Sequence, residues 1–341
     1  MSKAPRPRRG PSMADVAALA QVSPQTVSRV STGADTVKPK TRDVVLAAMQ
    51  ELGYLPNNAA RALRYGSFRT LGVVAHRFSR TGISHIVEAV VDSARDRGYA
   101  VSLVDLQFTP DEGFEPALAQ LSSQAVDGLI VLRAETSMPD DFALPGRLPV
   151  VLQDARFIGR ESAVGSDDVG GTRRAVQHLL ELGHQTVHHI TGPADSVPGL
   201  QRLTTWRAVL EQAGRPVPEP IPGDWTPGSG YAAGVRLAQE GVATAVFCGN
   251  DEMATGLYLA LHEHGLQVPH DVSVVGFDDV LGQYLWPPLT TVAQDFDRVG
   301  RTLVEVLLGQ IEDPASEPGS HTLVPTTLVV RSSTGVPRTT A

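Results

Sequence analysis

The sequence predicts an α/β protein in two parts, a small helical head and a two-lobed body built on mostly parallel sheets. Three observations carry this. The first 65 residues hold short amphipathic helices joined by polar turns. From Arg69 onward buried strands alternate with helices, the βαβ order that builds a parallel sheet. That order runs twice, which implies two α/β lobes with a cleft between the carboxyl ends of their strands.

In the head, Met13 to Ala20 puts Val16, Leu19 and Ala20 at helical spacing, and Gln21, Val22 and Ser23 make a turn of the length a helix-turn-helix uses. Ser23 suits an N-cap. Pro24 suits the first helical position, where its missing N–H is no loss. The second helix, Pro24 to Ser31, should bury Val27 and Val30 and expose Gln25, Thr26, Ser28 and Arg29. Arginine can pair with guanine N7 and O6, glutamine with adenine N6 and N7, and hydroxyls with phosphate, so this face suits a major groove. An ordinary surface hairpin carries the same polar face, and this half alone leaves both readings open. Lys38 to Arg42 leads into a third amphipathic helix (Val44, Val45, Ala48, Leu52), with Gly53 as its C-cap. Tyr54 to Arg64 then gives a short helix of small residues with one exposed leucine, Leu63.

The charge is unevenly shared. Residues 1 to 64 hold ten Lys/Arg and four acids, which leaves 19 of the 29 basic and 33 of the 37 acidic residues to the rest. A basic head on an acidic body fits a polyanionic partner for the head alone. The single cysteine, Cys248, excludes an intrachain disulfide framework and fits a reducing cytosol. No apolar run approaches the roughly 18 residues of a membrane span. The arginine-rich start leads into no signal-peptide core. A cytoplasmic location with no membrane partner is therefore expected. Met1 to Pro11 has too few apolar residues to fold and is expected as a disordered basic arm.

In the body, strands are expected at Thr70 to Ala75, Ala100 to Asp105, Asp127 to Leu132 and Pro149 to Leu152, with helices at Ile83 to Arg97 and Phe114 to Gln124. The second series runs helix Gly170 to Leu182, strand Thr186 to Ile190, helices Arg202 to Ala213 and Gly228 to Gln239, strand Ala245 to Cys248, helix Glu252 to His264 and strand Val272 to Phe277.

Val22-Ser23-Pro24-Gln25-Thr26-Val27-Ser28-Arg29-Val30, Lys40-Thr41-Arg42, Leu52-Gly53-Tyr54 and Pro56-Asn57 stand in one unbroken register between Met13 and Leu63. They resemble the headpiece of the LacI/GalR family of bacterial transcription regulators, and the resemblance extends over the body. It implies a helix-turn-helix headpiece and hinge helix on double-stranded operator DNA, followed by a periplasmic-binding-protein-like core. The second helix would enter the major groove, and the hinge helices of two subunits would pair in the minor groove. Carried over by position, Gln25 and Arg29 are base readers, Ser23, Thr26 and Ser28 lie on the DNA-facing side, and Asn57, Ala60 and Leu63 belong to the hinge. Pro24 stands where galactoside-responsive members have an aromatic reader and can make at most apolar contacts, so operator preference should differ. The expected organisation is an arm at 1–12, a headpiece at 13–55, a hinge and linker at 56–67, a core at 68–333 and a tail at 334–341. Within the core the N-lobe takes about 68–165 and 295–322, and the C-lobe about 166–293 and 323–333. The family's long tetramerising C-terminal helix has no counterpart after Val330, so a homodimer is expected.

Several motifs fall at strand ends, where a ligand in the cleft would be met. These are Gly249-Asn250-Asp251, Gly276-Phe277-Asp278-Asp279, Gly223-Asp224-Trp225 and the helix carrying Arg202. Asn, Asp and Arg can pair with vicinal hydroxyls and an indole can pack on the C–H face of a sugar. Each alone has a plainer use, as helix cap, turn residue or loop packing. The resemblance implies effector contacts for Asp154, Arg202, Trp225, Asn250, Asp251, Asp278 and Phe296. It favours a galactoside or similar disaccharide that lowers operator affinity, with an effector that strengthens DNA binding as the alternative. Pro198 and the stretch Arg80 to Ile83 depart from the galactoside-binding members. The paired carboxylates Asp167-Asp168 and Asp278-Asp279 match a glycosidase's need for two, but adjacent side chains point apart and helix starts explain them better. His184, His188 and His189 lack a nearby Cys or acid to complete a metal site. No catalytic residue, metal or cofactor is therefore expected.

Overall fold

The computed structural model describes residues 11–31, 36–54, 67–75, 78, 80–105, 126–132, 148–153, 162–313 and 319–338. The chain forms two compact units, Met1–Phe68 and Arg69–Ala341.

In the first unit, α1 (Met13–Leu19), α2 (Pro24–Ser31) and α3 (Pro39–Leu52) close around Val16, Ala17, Val27, Val30, Val45 and Met49. Ser12 and Asp15 cap α1 reciprocally, each side chain taking up the other's backbone N–H. Ser23 accepts from the Thr26 N–H at the start of α2. Pro39 opens α3, and Gly53, at φ 62°, ends it in the left-handed region that a glycine enters without Cβ strain.

The second unit has two sheets. The first is wholly parallel in the order β10-β5-β4-β3-β1-β2, from β1 (Thr70–Ala75), β2 (Ala100–Asp105), β3 (Gly128–Leu132), β4 (Val150–Gln153), β5 (Ser162–Ser166) and β10 (His321–Val324). Apolar clusters cover it on both faces, as the near-continuous Leu/Ile/Val strands require. Helix α4 (Thr81–Asp96) packs there.

The second sheet runs β11-β9-β8-β7-β6, from β6 (His188–Ile190), β7 (Ala245–Cys248), β8 (Ser273–Asp278), β9 (Thr290–Ala293) and β11 (Thr327–Val329), the last antiparallel to its neighbour. Its helices are α5 (Asp168–Glu181), α6 (Val197–Gln212), α7 (Pro227–Glu240) and α8 (Asp251–Glu263). The chain passes between the sheets three times: from β5 into α5, from β9 into α9 (Phe296–Glu312), and from β10 into β11.

The structure departs from the expected elements in identifiable places. The helix expected to open at Arg202 begins at Val197 under a Ser196 cap, because Pro198 falls in the first turn, where proline is tolerated. Helix α9 was not anticipated; it packs on α4 and on the first sheet, and Gly300 lets the two helices touch. A Cβ at Gly300 would stand 2.5 Å from the Ala89 methyl and 2.8 Å from the Ile86 carbonyl oxygen. The helix expected at 114–124 lies outside the described residues.

His184 and His189 serve the core. His184 bonds Thr244, Ser273 and the Gly335 carbonyl. His189 stacks on Phe247 at 4.7 Å, and burial pushes its pKa down to about 4, so it stays neutral.

Candidate functional site

The head presents one polar face. Ser23, Pro24, Gln25 and Arg29 are exposed and Thr26 is half-buried. The Ser23 and Thr26 hydroxyls share a hydrogen bond of 2.9 Å at the helix start. Ser28, expected on the outside, is buried. An eight-residue helix packed against both α1 and α3 leaves too little of its circumference free for all four expected outward positions, and the small Ser28 falls beside Val27. Asn57, Ala60, Leu63 and Asp154 lie outside the described residues.

In the second unit, the carboxyl ends of both sheets face a cleft cavity. From the first sheet's side come Arg80, Thr81, Gly82, Ile83 and Ile86 at the start of α4, Gln153 at the end of β4, Ser166 at the end of β5 and Phe296 at the start of α9. From the other side come Asp168, Pro198, Arg202, Trp225, Asn250, Glu252 and Asp278; Gln294 lies on the crossover.

Arg202 is the hub. Its side chain is almost wholly buried, its Nε donates to Asp168 at 2.7 Å, and its Nη1 reaches the Gly249 carbonyl and lies 3.8 Å from Asp278. The guanidinium sits 3.6 Å from the Phe277 ring centroid and 5.4 Å from that of Trp225. A charge so far from water is tolerable because two carboxylates and a carbonyl surround it. Asp278 also accepts from Gln294 Nε2 at 2.6 Å. Burial, opposed by Arg202, still pushes its carboxyl up to about 7. Its backbone, with that of Asp279, takes positive φ values of 108° and 58° at the end of β8, a strained corner beside the cavity. Arg331 clamps Asp279 from the C-terminal segment with contacts of 2.6 and 2.9 Å.

Trp225 and Asn250 are placed together. The Asn250 Oδ1 caps α8 by accepting from Met253 N at 2.9 Å, while its Nδ2 donates to the Trp225 carbonyl at 3.2 Å. Cap and cavity-lining roles therefore coincide in one side chain. The Trp225 ring lies against Gly192, where a Cβ would stand 2.1 Å from it, so only glycine leaves the indole where it is.

Asp251 does not line this cavity. Its carboxylate accepts from Thr291 Oγ1 at 2.6 Å and from Val280 N at 3.1 Å, behind the strained corner, and burial raises its pKa to about 6. It braces the wall that Asp278 presents. Asp168, Gln153, Gln294 and Glu252 also line the cavity, with no ligand role expected of them from sequence. Of the pair expected as charge at a helix start, Asp167 is the N-cap of α5, but Asp168 turns inward to Arg202. A buried arginine on the next helix needing a counter-charge was the available signal.

A ligand cleft between two α/β lobes, carried with a helix-turn-helix head, defines a ligand-responsive DNA-binding regulator. Residues 12–57 match the family described as "Bacterial regulatory proteins, lacI family", and residues 176–334 match the "Periplasmic binding protein-like domain". The ribose operon repressor of Escherichia coli (strain K12) is 34% identical over 320 residues, covering 92% of this chain and 97% of the relative. A structure of the lac repressor dimer bound to operator and the anti-inducer ONPF is similar with a TM-score of 0.83 and 34% identity, over 96% of this chain and 100% of that one. The complex of transcriptional regulator CelR with cellobiose has a TM-score of 0.70 and 33% identity, over 95% and 99%. The chain belongs to the lacI family of bacterial regulatory proteins.

Proposed function

We propose that this regulator is a repressor whose operator affinity is lowered by a sugar, a galactoside or another disaccharide, bound between the lobes. The observation that carries the reading is the cavity at the carboxyl ends of both sheets, where Arg202, Asn250 and Asp278 meet the Trp225 face. Fixed donors and acceptors beside an indole match the alternating hydroxyl and C–H surfaces of a pyranose. The relatives crystallised with ligands include a cellobiose complex, which supports a disaccharide. Gln25 and Arg29 read base edges from the exposed face of α2, Ser23 and Thr26 hold phosphate, and Pro24 adds apolar contact. Asn57, Ala60 and Leu63 act in the hinge, two subunits together holding a near-palindrome. A sugar shifts operator affinity only as far as it binds the two lobe arrangements unequally.

The test is fluorescence anisotropy of the full chain on DNA from its own upstream region, at fixed salt, with and without lactose, cellobiose, galactose and ribose. Release by a sugar supports the reading. Tightening by a sugar reverses the sign and makes the ligand a co-repressor.

A further inference from the structure

The two sides of the cleft are joined by polar contacts at the start of α4. Arg80 Nη2 donates to the Asp224 carbonyl at 3.0 Å, and the Thr81 hydroxyl donates to the Glu252 carboxylate. Both pairs cross from the first sheet's side to the second's, and Arg80, Thr81 and Glu252 all line the cavity. Glu252 occupies the first turn of α8, where a carboxylate gains from the helix dipole wherever it points. The dipole does not account for its reaching across the cleft to a hydroxyl.

Its neighbours in the cavity differ from it. Asp168 and Asp278 lie against Arg202. Among the described residues Glu252 forms no ion pair, and its hydrogen-bond partner is a neutral hydroxyl. Among the described residues the cavity thus holds three carboxylates, two of them shared with a guanidinium that already contacts the Gly249 carbonyl, and a third available to a hydroxyl.

We propose that Glu252 is an effector-contacting residue that selects for neutral, hydroxyl-rich ligands and against phosphorylated or acidic ones, a ligand hydroxyl taking the place of Thr81 on its carboxylate. This rests on the reading of the cleft as a sugar site. Exchange of one hydroxyl for another keeps the carboxylate satisfied throughout, so the contact is made without stranding a charge. The same exchange breaks a bond between the lobes, which links occupancy to the start of α4. A phosphate or carboxylate at that place would meet the Glu252 carboxylate, a like-charge encounter that disfavours its binding.

Isothermal titration of the full chain measures this with lactose, cellobiose, galactose and ribose, and with galactose 6-phosphate and galacturonate as anionic probes. The expected result has three parts. The neutral sugar that binds is held about tenfold more weakly by E252Q, whose amide keeps the shape but loses a charged acceptor. It is held about threefold more tightly by T81V, which removes the competing hydroxyl. The anionic probes bind wild type about a hundredfold more weakly than that sugar and recover in E252Q. A neutral sugar that binds wild type and E252Q within twofold, or an anionic probe that binds wild type as well as the neutral one, overturns the assignment of Glu252 and leaves the sugar site standing. Absence of binding by all six probes overturns both. The opposite signs for T81V and E252Q separate ligand competition from a general loss of folding, which would weaken both variants alike.

Discussion

The two walls of the cleft are built differently. The wall from the second sheet is a buried, mutually bonded set in which Asp168, Arg202, Asp278 and Gln294 hold one another and Asn250 holds the Trp225 backbone. The wall from the first sheet is Ile83, Ile86 and the Phe296 ring, with Gln153 and Ser166 at strand ends and Arg80 and Thr81 at a helix start. Arg80 and Thr81 bond across the cleft, to the Asp224 carbonyl and the Glu252 carboxylate. One wall is thus preorganised for recognition, since its groups need no rearrangement to meet a ligand, and the other supplies apolar surface and contacts that can be exchanged. That difference suits the proposed switch, in which a ligand fixed on one wall would report its presence through the other.

Arg202→Ala attacks the organised wall at its centre and should have the largest effect. It leaves Asp168 and Asp278 buried without their cation, so the melting temperature should fall by about 5–10 °C. Sugar-dependent release of operator should disappear even at a hundredfold higher sugar concentration. Retained release in anisotropy would mean that the second-sheet wall is not the recognition surface.

Gly192→Ala comes next. The added methyl must displace the indole of Trp225, and calorimetry should show sugar affinity reduced about tenfold or more while operator affinity stays within twofold.

Asp278→Asn tests the cost of that organisation. Its folded carboxyl is raised to about 7 from 3.8, so the folded state holds a proton that the unfolded state has released between those values. Stability at this group is therefore undiminished below about pH 4, falls as pH rises through the interval, and is lowest above pH 7. Thermal melts should show wild type losing more stability than the variant between pH 5 and pH 8. The variant should match or exceed wild type at pH 8 while binding sugar more weakly. Asp251, raised to about 6, contributes a slope of the same sign in both proteins. A wild-type profile parallel to that of the variant would remove Asp278 as its source.

Ile83→Ala on the opposite wall should have the smallest effect on ligand: about a threefold to tenfold loss of sugar affinity, with the operator response still present. An effect equal to that of Arg202→Ala would erase the distinction between the walls.

The fold class was legible because it rests on patterns that survive any detail of packing. β1, β2 and β7 fall where apolar runs bounded by polar residues placed them. The Ser23-Pro24 start and Gly53 end were readable because capping is a local requirement of the backbone itself. Helix α9, strands β9 to β11 and the Ser333 and Gly335 contacts were not foreseen. Ser333 is buried between Thr290 N and Val274 O, and Gly335 bonds Ser273, in a segment with no strand signal of its own.

The candidate site divides the same way. Sequence by itself determined which residue types stand near the strand ends, Trp225, Asn250 and Asp278 among them, with Arg202 on the helix after β6, because a parallel sheet delivers its carboxyl ends to one edge whatever fills it. Tertiary structure decided which way each side chain turns. It sent Asp168 inward to Arg202, drew Asp251 behind the wall to Thr291, buried Ser28, and brought Glu252 to Thr81 from 171 residues away. Those outcomes depend on burial and charge pairing between distant segments. Two neighbouring carboxylates look alike in a sequence until the fold gives one of them a partner.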